Sequence, residues 1–242
     1  MKILKVILAV FAALNFSLAK EQTMVNFNEL PRAAKLNGAL SDKQLALVSM
    51  AAYAAAGNAD KLKGALQNAL KAGLSVSEIR EALSHQSAYI GFPMGLNGLI
   101  LFNDLVKERE AAGIKDVAGK DASPVTVDSD FYALGEQTQK YIFGSDYSGT
   151  VLFDAPAVDH GLKTYLFGYL FSRDNLGFLE REIITVSTLA ALNNVNMQLK
   201  SHLGGARNLG VADEQFERIF KILGECVGEA KAQNAREVLK SI

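Results

Sequence analysis

Glu182 and His202 are the two side chains whose types and spacing best suit chemistry in this 242-residue sequence. Glu182 sits early in one run of helical periodicity and His202 lies on the next run. An antiparallel helix pair folds such positions back toward each other. A carboxylate beside an imidazole orients the ring and tunes its proton affinity, so the pair can serve as a general acid and base. The plainer alternative is a structural hydrogen bond or a solvated helix face, since ion pairs often have no catalytic role.

A second candidate is Tyr89-Ile90-Gly91-Phe92-Pro93. Gly91 and Pro93 interrupt a helix, and His85 and Tyr89 lie one turn apart just before the interruption. Such a break can line a pocket with free backbone groups, or it can be a plain helix corner. His160, near Asp154 and Asp159, lacks any standard metal-ligand spacing. No CxxC, HExxH or phosphate-binding glycine loop is present, so neither metal nor cofactor is expected. Cys226 is the sole cysteine, which excludes an intrachain disulfide; its apolar helical setting predicts a buried, inert thiol. The aromatic set Tyr165, Phe167, Tyr169 and Phe171 reads as core or as a surface between copies.

The elements that must position these residues are helices throughout. Lys61-Leu62-Lys63-Gly64-Ala65-Leu66 through Gly73-Leu74 recurs without a gap as Gln198-Leu199-Lys200-Ser201-His202-Leu203 through Gly210-Val211. One helical unit has therefore been used twice. The second copy carries His202 where the first carries Ala65, and the first has no acid between Asp42 and Asp60. Copy one cannot build the Glu–His pair.

Around the repeat, Ser41-Asp42 opens a helix to about Ala56. Asn58 caps a second that ends at Gly73, and Ser75-Val76-Ser77-Glu78 is a capping box for a third. Pro93 suits the first turn of a fourth helix, to about Ala111, with Leu96, Leu99, Ile100 and Leu105 as its apolar stripe. Helices are expected from about Asp128 to Phe143 and from Pro156 to Ser172. Phe178–Leu192, the His202 helix, Asp213–Leu223 and Gly224–Ile242 then repeat the first unit. No segment of useful length has strand periodicity, so the fold class is all-α.

The first nineteen residues differ from the rest. Lys2 and Lys5 precede an uncharged run, Val6 to Ala19, that ends in Ser17-Leu18-Ala19. This is the layout of a secretory signal peptide. It places the mature chain outside the cytoplasm, periplasmic or secreted, with no membrane association once the signal is cleaved. Apolar residues make up 49% of the chain, enough for a substantial core, and a net charge of −1 argues against nucleic acid as a partner.

Three segments together resemble the carboxymuconolactone decarboxylase family, within the alkylhydroperoxidase D-like superfamily. They are Arg181-Glu182-Ile183-Ile184-Thr185-Val186, Gln198-Leu199-Lys200-Ser201-His202 and Asn208-Leu209-Gly210-Val211. Ala88 to Pro93 with Leu96-Asn97 looks like the same family's later motif in the first copy. The resemblance implies two tandem helical units: 20–115 and 128–242, joined by a Gly/Ser/Pro-containing linker at 116–127, behind the signal at 1–19. It also implies a homo-oligomer and a small-molecule substrate, a lactone or a carboxylic acid. In a decarboxylation or proton shift His202 would move the proton and Glu182 would hold its tautomer. Lys200 or Arg207 would pair with a substrate carboxylate, and Tyr89 and His85 would line the site. The superfamily's peroxide-reducing branch uses two cysteines just before the histidine. Val195 and Gln198 stand there and neither can supply a thiolate. The other reading is a binding or structural relative that has lost catalysis.

Overall fold

Ser41 opens the first long helix as a reciprocal cap. Its hydroxyl accepts from the Gln44 amide at 3.3 Å, and Gln44 Oε1 accepts from the Ser41 amide at 2.9 Å. The computed structural model describes residues 25–125, 130–145 and 154–242; the expected signal segment, 1–19, lies outside them. Helix α1 runs Asp42–Ala55. Asn58 caps α2, Ala59–Lys71, by accepting from the Lys61 amide at 3.1 Å, and Gly73 leaves that helix at φ 94°, where a Cβ would be strained.

Ser75 and Glu78 cap α3, Val76–Ala111, as their spacing predicts. Gly91, at φ 78° and ψ 154°, breaks α3 into two limbs. The limbs fold back on each other: Arg80 Nε donates to Asn103 Oδ1 at 3.0 Å. A Cβ on Gly95 would lie 2.5 Å from Ser87 Cβ, so a bare backbone is needed there. Pro93 sits in the first turn of the second limb, where its missing N–H costs nothing.

Helix α4, Phe131–Phe143, is capped by Asp130, whose side chain accepts from the Ala133 amide at 3.0 Å. Helix α5, Pro156–Gly161, continues as a π-helix over Leu162–Leu170. The sequence periodicity predicts an ordinary helix here; the wider winding is a difference that 3.6-residue spacing does not reveal. α4 and this stretch pack as a hairpin at backbone-to-backbone distance. A Cβ on Gly135 would meet the Lys163 carbonyl oxygen at 1.9 Å, and one on Gly168 the Phe131 carbonyl oxygen at 2.1 Å.

The second copy follows as α6 Phe178–Ala191, α7 Asn196–Asn208, α8 Asp213–Val227 and α9 Glu229–Lys240. The offset that aligns Lys61 with Gln198 also aligns Gly91 with Gly228, which breaks the chain at φ 97° and ψ 146°. α6 and α1 pack against each other at the centre, and almost every residue of α6 is buried. Its polar side chains are made tolerable by bonding one turn back. Thr185, Ser187 and Thr188 donate to the carbonyls of Arg181, Ile183 and Ile184 at 2.7–2.8 Å. Gln86 ties the units together, donating to Ala51 O at 2.7 Å and Thr188 Oγ1 at 3.0 Å. The described residues contain no strand, and the fold is all-α with two tandem helical units.

One expectation changes. Leu96 and Ile100 do not enter the core: they are 56% and 58% exposed and form, with Phe92 at 60%, a stripe at helical spacing on the outer limb of α3. Only Leu105 of the expected stripe is fully buried. The segment following α3, in the expected linker, is pinned against the start of that helix. Val117 O and Ala118 O accept from the Val76 and Ser77 amides at 2.9 Å, Ser77 Oγ donates to Lys120 O at 2.8 Å, and Arg109 grips Asp116 through two bonds of 2.7 Å. The free amides at the start of α3 find their acceptors in this strap.

Candidate functional site

The hairpin between α6 and α7 brings Glu182 and His202 into contact. His202 Nδ1 lies 2.8 Å from Glu182 Oε2, with the carboxylate side chain fully buried and the imidazole 8% exposed. A carboxylate is an acceptor, so Nδ1–H donates and the neutral ring keeps its lone pair on Nε2.

The first limb of α3 supplies the other wall from the first copy. The Tyr89 ring stands edge-on to the His202 ring at 5.6 Å, and the His85 ring is 5.5 Å from Tyr89. His85 is fully buried. Its Nε2 is 3.0 Å from Thr185 Oγ1, whose own proton goes to Arg181 O. Thr185 must therefore accept, and His85 carries its proton on Nε2. Burial pushes the His85 imidazole well below its usual range, helped by the nearby Arg181 and His202 charges. Burial likewise pushes the Tyr89 phenol well above its usual range, and the Glu182 carboxylate adds to this. Both groups are neutral at ordinary pH.

Five of the buried polar side-chain atoms in this cluster lack partners. They are Tyr89 OH, His85 Nδ1, Glu182 Oε1 and, beneath them, the Arg181 guanidinium at Nε and Nη1. Arg181 is fully buried and spends Nη2 on Glu81 Oε1 at 2.8 Å and Arg173 O at 2.9 Å. Arg173 closes the network with 2.9 and 3.0 Å bonds to the Glu81 carboxylate.

The remaining wall is aromatic. Phe143 meets His202 edge-on at 5.2 Å, Phe167 stacks on it at 6.4 Å, and Phe171 meets His85 edge-on at 5.3 Å. The close α4–π-helix hairpin thus carries the apolar cover of the cluster. Phe167 and Phe171 were legible as a core set, but their place against the imidazoles was not. Thr185 stands out in the sequence only as part of the family-like segment and Phe143 only as a helix end, because neither type signals chemistry alone.

Of the expected site residues, the structure brings together Glu182, His202, His85 and Tyr89. Lys200 and Arg207 are the corrections. They lie on the outer side of α7, where Lys200 Nζ donates to Ser241 O at 2.7 Å and Arg207 Nη2 to Asp213 Oδ1 at 2.6 Å. Residues two before and five after His202 cannot share its buried face on a 3.6-residue helix. His160 stacks on Tyr132 at 5.8 Å, while Asp159 pairs with Lys163 at 3.1 Å. Among the described residues no group of three or more His, Cys, Asp or Glu could hold a metal ion. Cys226 is half-buried and burial raises its thiol pKa, which suits an unreactive thiol.

The same offset identifies what faces the pseudo-symmetric position. Leu45 replaces Glu182, Ala65 replaces His202, Ile222 replaces His85 and Cys226 replaces Tyr89. A cleft of about 380 Å³ on that side is lined by residues including Tyr53, Cys226 and Lys231. The cleft of about 450 Å³ between Arg32, Gln44 and Glu180 is likewise remote from the imidazoles. Neither cleft is lined by His202, Glu182, His85 or Tyr89. In the cluster His85 and Glu182 are fully buried, His202 nearly so, and Tyr89 partly.

The curated "Peroxisomal protein 2" of Schizosaccharomyces pombe is 28% identical over 189 residues, which span 75% of this chain and 84% of that protein. A solved structure from Burkholderia xenovorans LB400, assigned as a gamma-carboxymuconolactone decarboxylase subunit, aligns with a TM-score of 0.46 at 17% identity, covering 84% of this chain and 78% of its own. The sequence profile of the carboxymuconolactone decarboxylase family matches twice, over residues 21–103 and 156–241, once for each helical unit. This chain belongs to the carboxymuconolactone decarboxylase family.

Proposed function

We propose that this chain carries out acid/base chemistry on a small lactone or organic acid, with His202 as the proton-transfer group and Glu182 as the residue that orients it. The observation that carries this reading is the 2.8 Å Glu182–His202 bond in a buried cluster that also holds unpartnered polar atoms. The lone pair on His202 Nε2 would take a proton from carbon next to a carbonyl. The imidazolium would be stabilised by Glu182, and the Tyr89 hydroxyl would donate to the oxygen that gains charge. Return of the proton from Nε2 to a different carbon completes a shift; in a decarboxylation the bond to the substrate carboxylate would break instead, carbon dioxide would leave, the bond's electron pair would pass into the enolate, and protonated His202 would deliver one proton to carbon from Nε2. Tyr89 and His85 would line the bound molecule.

The test pairs two measurements on the full chain. Solvent-deuterium exchange into a panel of small lactones and carboxylic acids is followed in wild type, Glu182→Gln and His202→Gln. NMR titration of His202 is followed with the same panel. Exchange that falls on the order of a hundredfold in both variants supports the reading, that being the low end of a general acid–base contribution. Exchange unaffected by His202→Gln sinks it. A binding protein without turnover is the second reading, and the near-complete burial of His202 favours it. Ligand-induced shifts at His202 with no exchange would select it.

Export and self-association belong to the same proposal. Export rests on Lys2, Lys5 and the uncharged run Val6–Ala19. The relative from Schizosaccharomyces pombe is named for the peroxisome, so cell fractionation with intact-mass measurement decides: a mature chain beginning at Lys20 outside the cytoplasm supports export. Self-association is supported by the exposed stripe Phe92, Leu96 and Ile100.

A further inference from the structure

We propose that the cleft between Arg32 and Glu180 binds a zwitterionic amino acid with an aliphatic side chain, its carboxylate on Arg32 and its ammonium on Glu180. None of the residues lining this cleft belongs to the His202 cluster, so the proposal goes beyond the acid/base reading and stands independently of it.

The cleft holds about 450 Å³, a volume in the range of small-molecule sites. Leu36, Leu47, Leu74, Leu176 and Leu179 give it an apolar wall. Its charged lining is Arg32, Lys35, Lys43, Glu78, Asp174 and Glu180. Lys43 and Glu78 satisfy each other, Nζ to Oε1 at 3.3 Å, and Glu78 Oε2 also accepts from the Ser75 amide at 2.7 Å. Asp174 accepts from the Ser123 amide and hydroxyl, each at 2.7 Å. Lys35 is solvent-exposed, and its charge is screened. Arg32 and Glu180 remain, one of each sign.

Arg32 is partly buried and its Nε has no partner. Among the described residues no hydrogen bond or ion pair reaches the rest of its guanidinium, and Asp174 acts on it only at a distance. Burial lowers the proton affinity of this guanidinium, and the Asp174 charge offsets only part of that. A cation drawn partly out of water calls for an anion in bonding contact, and a carboxylate fits the guanidinium fork. Glu180 is the opposite pole. Its Oε1 accepts from Gln44 Nε2 at 2.7 Å, and its Oε2 accepts no bond among the described residues. Asn175 Oδ1, in the same wall, is a second acceptor, buried and unpartnered. That amide cannot turn over, because Nδ2 donates to Ser77 Oγ at 3.1 Å and Ser77 gives its own proton to Lys120 O at 2.8 Å. Arg32 and Glu180 are neighbours across Gly177: a Cβ there would stand 3.4 Å from Arg32 O and would collide with Glu180 Oε2. A plain carboxylate would suit Arg32 but meet the charges of Glu180 and Asp174, and a plain amine would suit Glu180 but meet Arg32. A zwitterion complements both signs, and the leucine wall selects an aliphatic side chain.

The test uses leucine and the two fragments that each lack one pole, 4-methylvalerate and isoamylamine. Binding to the full chain is measured by calorimetry, and the methyl resonances of Leu36 and Leu176 are followed in leucine-methyl-labelled protein. Leucine should bind about tenfold more tightly than either fragment, near the lower bound for a hydrogen bond to a charged group, and should shift both sets of methyls. In Arg32→Gln leucine should lose its advantage over isoamylamine. In Glu180→Gln, where the new side chain still accepts from Gln44, it should lose its advantage over 4-methylvalerate. The wild-type comparison needs neither variant, so it decides even if one fails to fold. Leucine no tighter than a fragment, no binding by any probe, an advantage over isoamylamine that survives Arg32→Gln, or unmoved Leu176 methyls would overturn the proposal. The two proposals fail separately. Leucine binding without deuterium exchange on any lactone or acid removes the acid/base reading alone, and exchange without leucine binding removes this site alone.

Discussion

His85→Gln tests the electrostatics of the cluster through the stability of the whole chain. In the unfolded state the imidazole takes up a proton near its ordinary value of 6.5, while burial holds the folded value well below that. Below pH 6.5 the unfolded chain therefore binds more protons than the folded one, and stability falls as pH falls through the interval between the two values. The slope approaches about 1.4 kcal/mol per pH unit once the unfolded imidazole is charged. Integrated from pH 7.5 to 5.5, His85 alone removes about 1.4 kcal/mol. Glutamine at this position can still donate to Thr185 but cannot titrate. All other titrating groups are common to both proteins, so the difference isolates His85. Urea unfolding of both at the two pH values gives the quantity directly: the stability advantage of wild type over His85→Gln should shrink by about 1.4 kcal/mol on acidification. An advantage that stays constant within about 0.5 kcal/mol, the usual error of such comparisons, would show that His85 takes up its proton while folded. The fixed tautomer, and everything argued from it, would then be withdrawn.

Three further outcomes are expected. Gly135→Ala should cost at least about 1–3 kcal/mol, because its new methyl collides with the Lys163 carbonyl and pries the α4 hairpin apart; Gly204→Ala, on an open face of α7, should gain up to about 1 kcal/mol. Thermal melts of the two variants make the comparison, and equal shifts would contradict the close packing. Arg181→Leu should lose about 3–5 kcal/mol by leaving buried Glu81 with Arg173 alone, whereas Arg207→Ala, which removes an exposed pair with Asp213, should change stability by no more than about 1 kcal/mol in denaturant titrations. Leu96→Glu should lower the sedimentation coefficient of any self-associated wild type without reducing helicity; an unchanged coefficient would show that the stripe of Phe92, Leu96 and Ile100 is not the contact.

Most helices were legible because their ends carry local chemistry. Ser41, Asn58 and Ser75 are caps by their own side chains, and Gly73, Gly91 and Gly210 stop helices by adopting positive φ. The repeat was legible for the same reason, since its glycines keep their offsets. The Glu182–His202 pairing followed from two adjacent antiparallel helices, a short-range inference. Long-range placements were not available. Nothing in the periodicity of Leu162–Leu170 distinguishes π from α winding, and nothing local to Phe143 or Phe171 says that an imidazole lies beside each. Lys200 and Arg207 look like anion ligands by type, and only the helical phase relative to His202 removes them. Leu96 and Ile100 look like core by type; the fold-back at Gly91 turns their face outward.

The cluster draws Glu182, Thr185 and His202 from one repeat and His85 and Tyr89 from the other, all on a single polypeptide. Two separate subunits would have to meet before such a wall existed, and dilution would take it apart. Here the halves are tethered, so the arrangement forms at any protein concentration. The tether also removes a constraint on sequence change. In a symmetric pair of identical chains, any substitution that improves one side is imposed on the other. In this chain Leu45, Ala65, Ile222 and Cys226 can differ from Glu182, His202, His85 and Tyr89 without penalty to the latter. One side is free to specialise while its twin turns into packing.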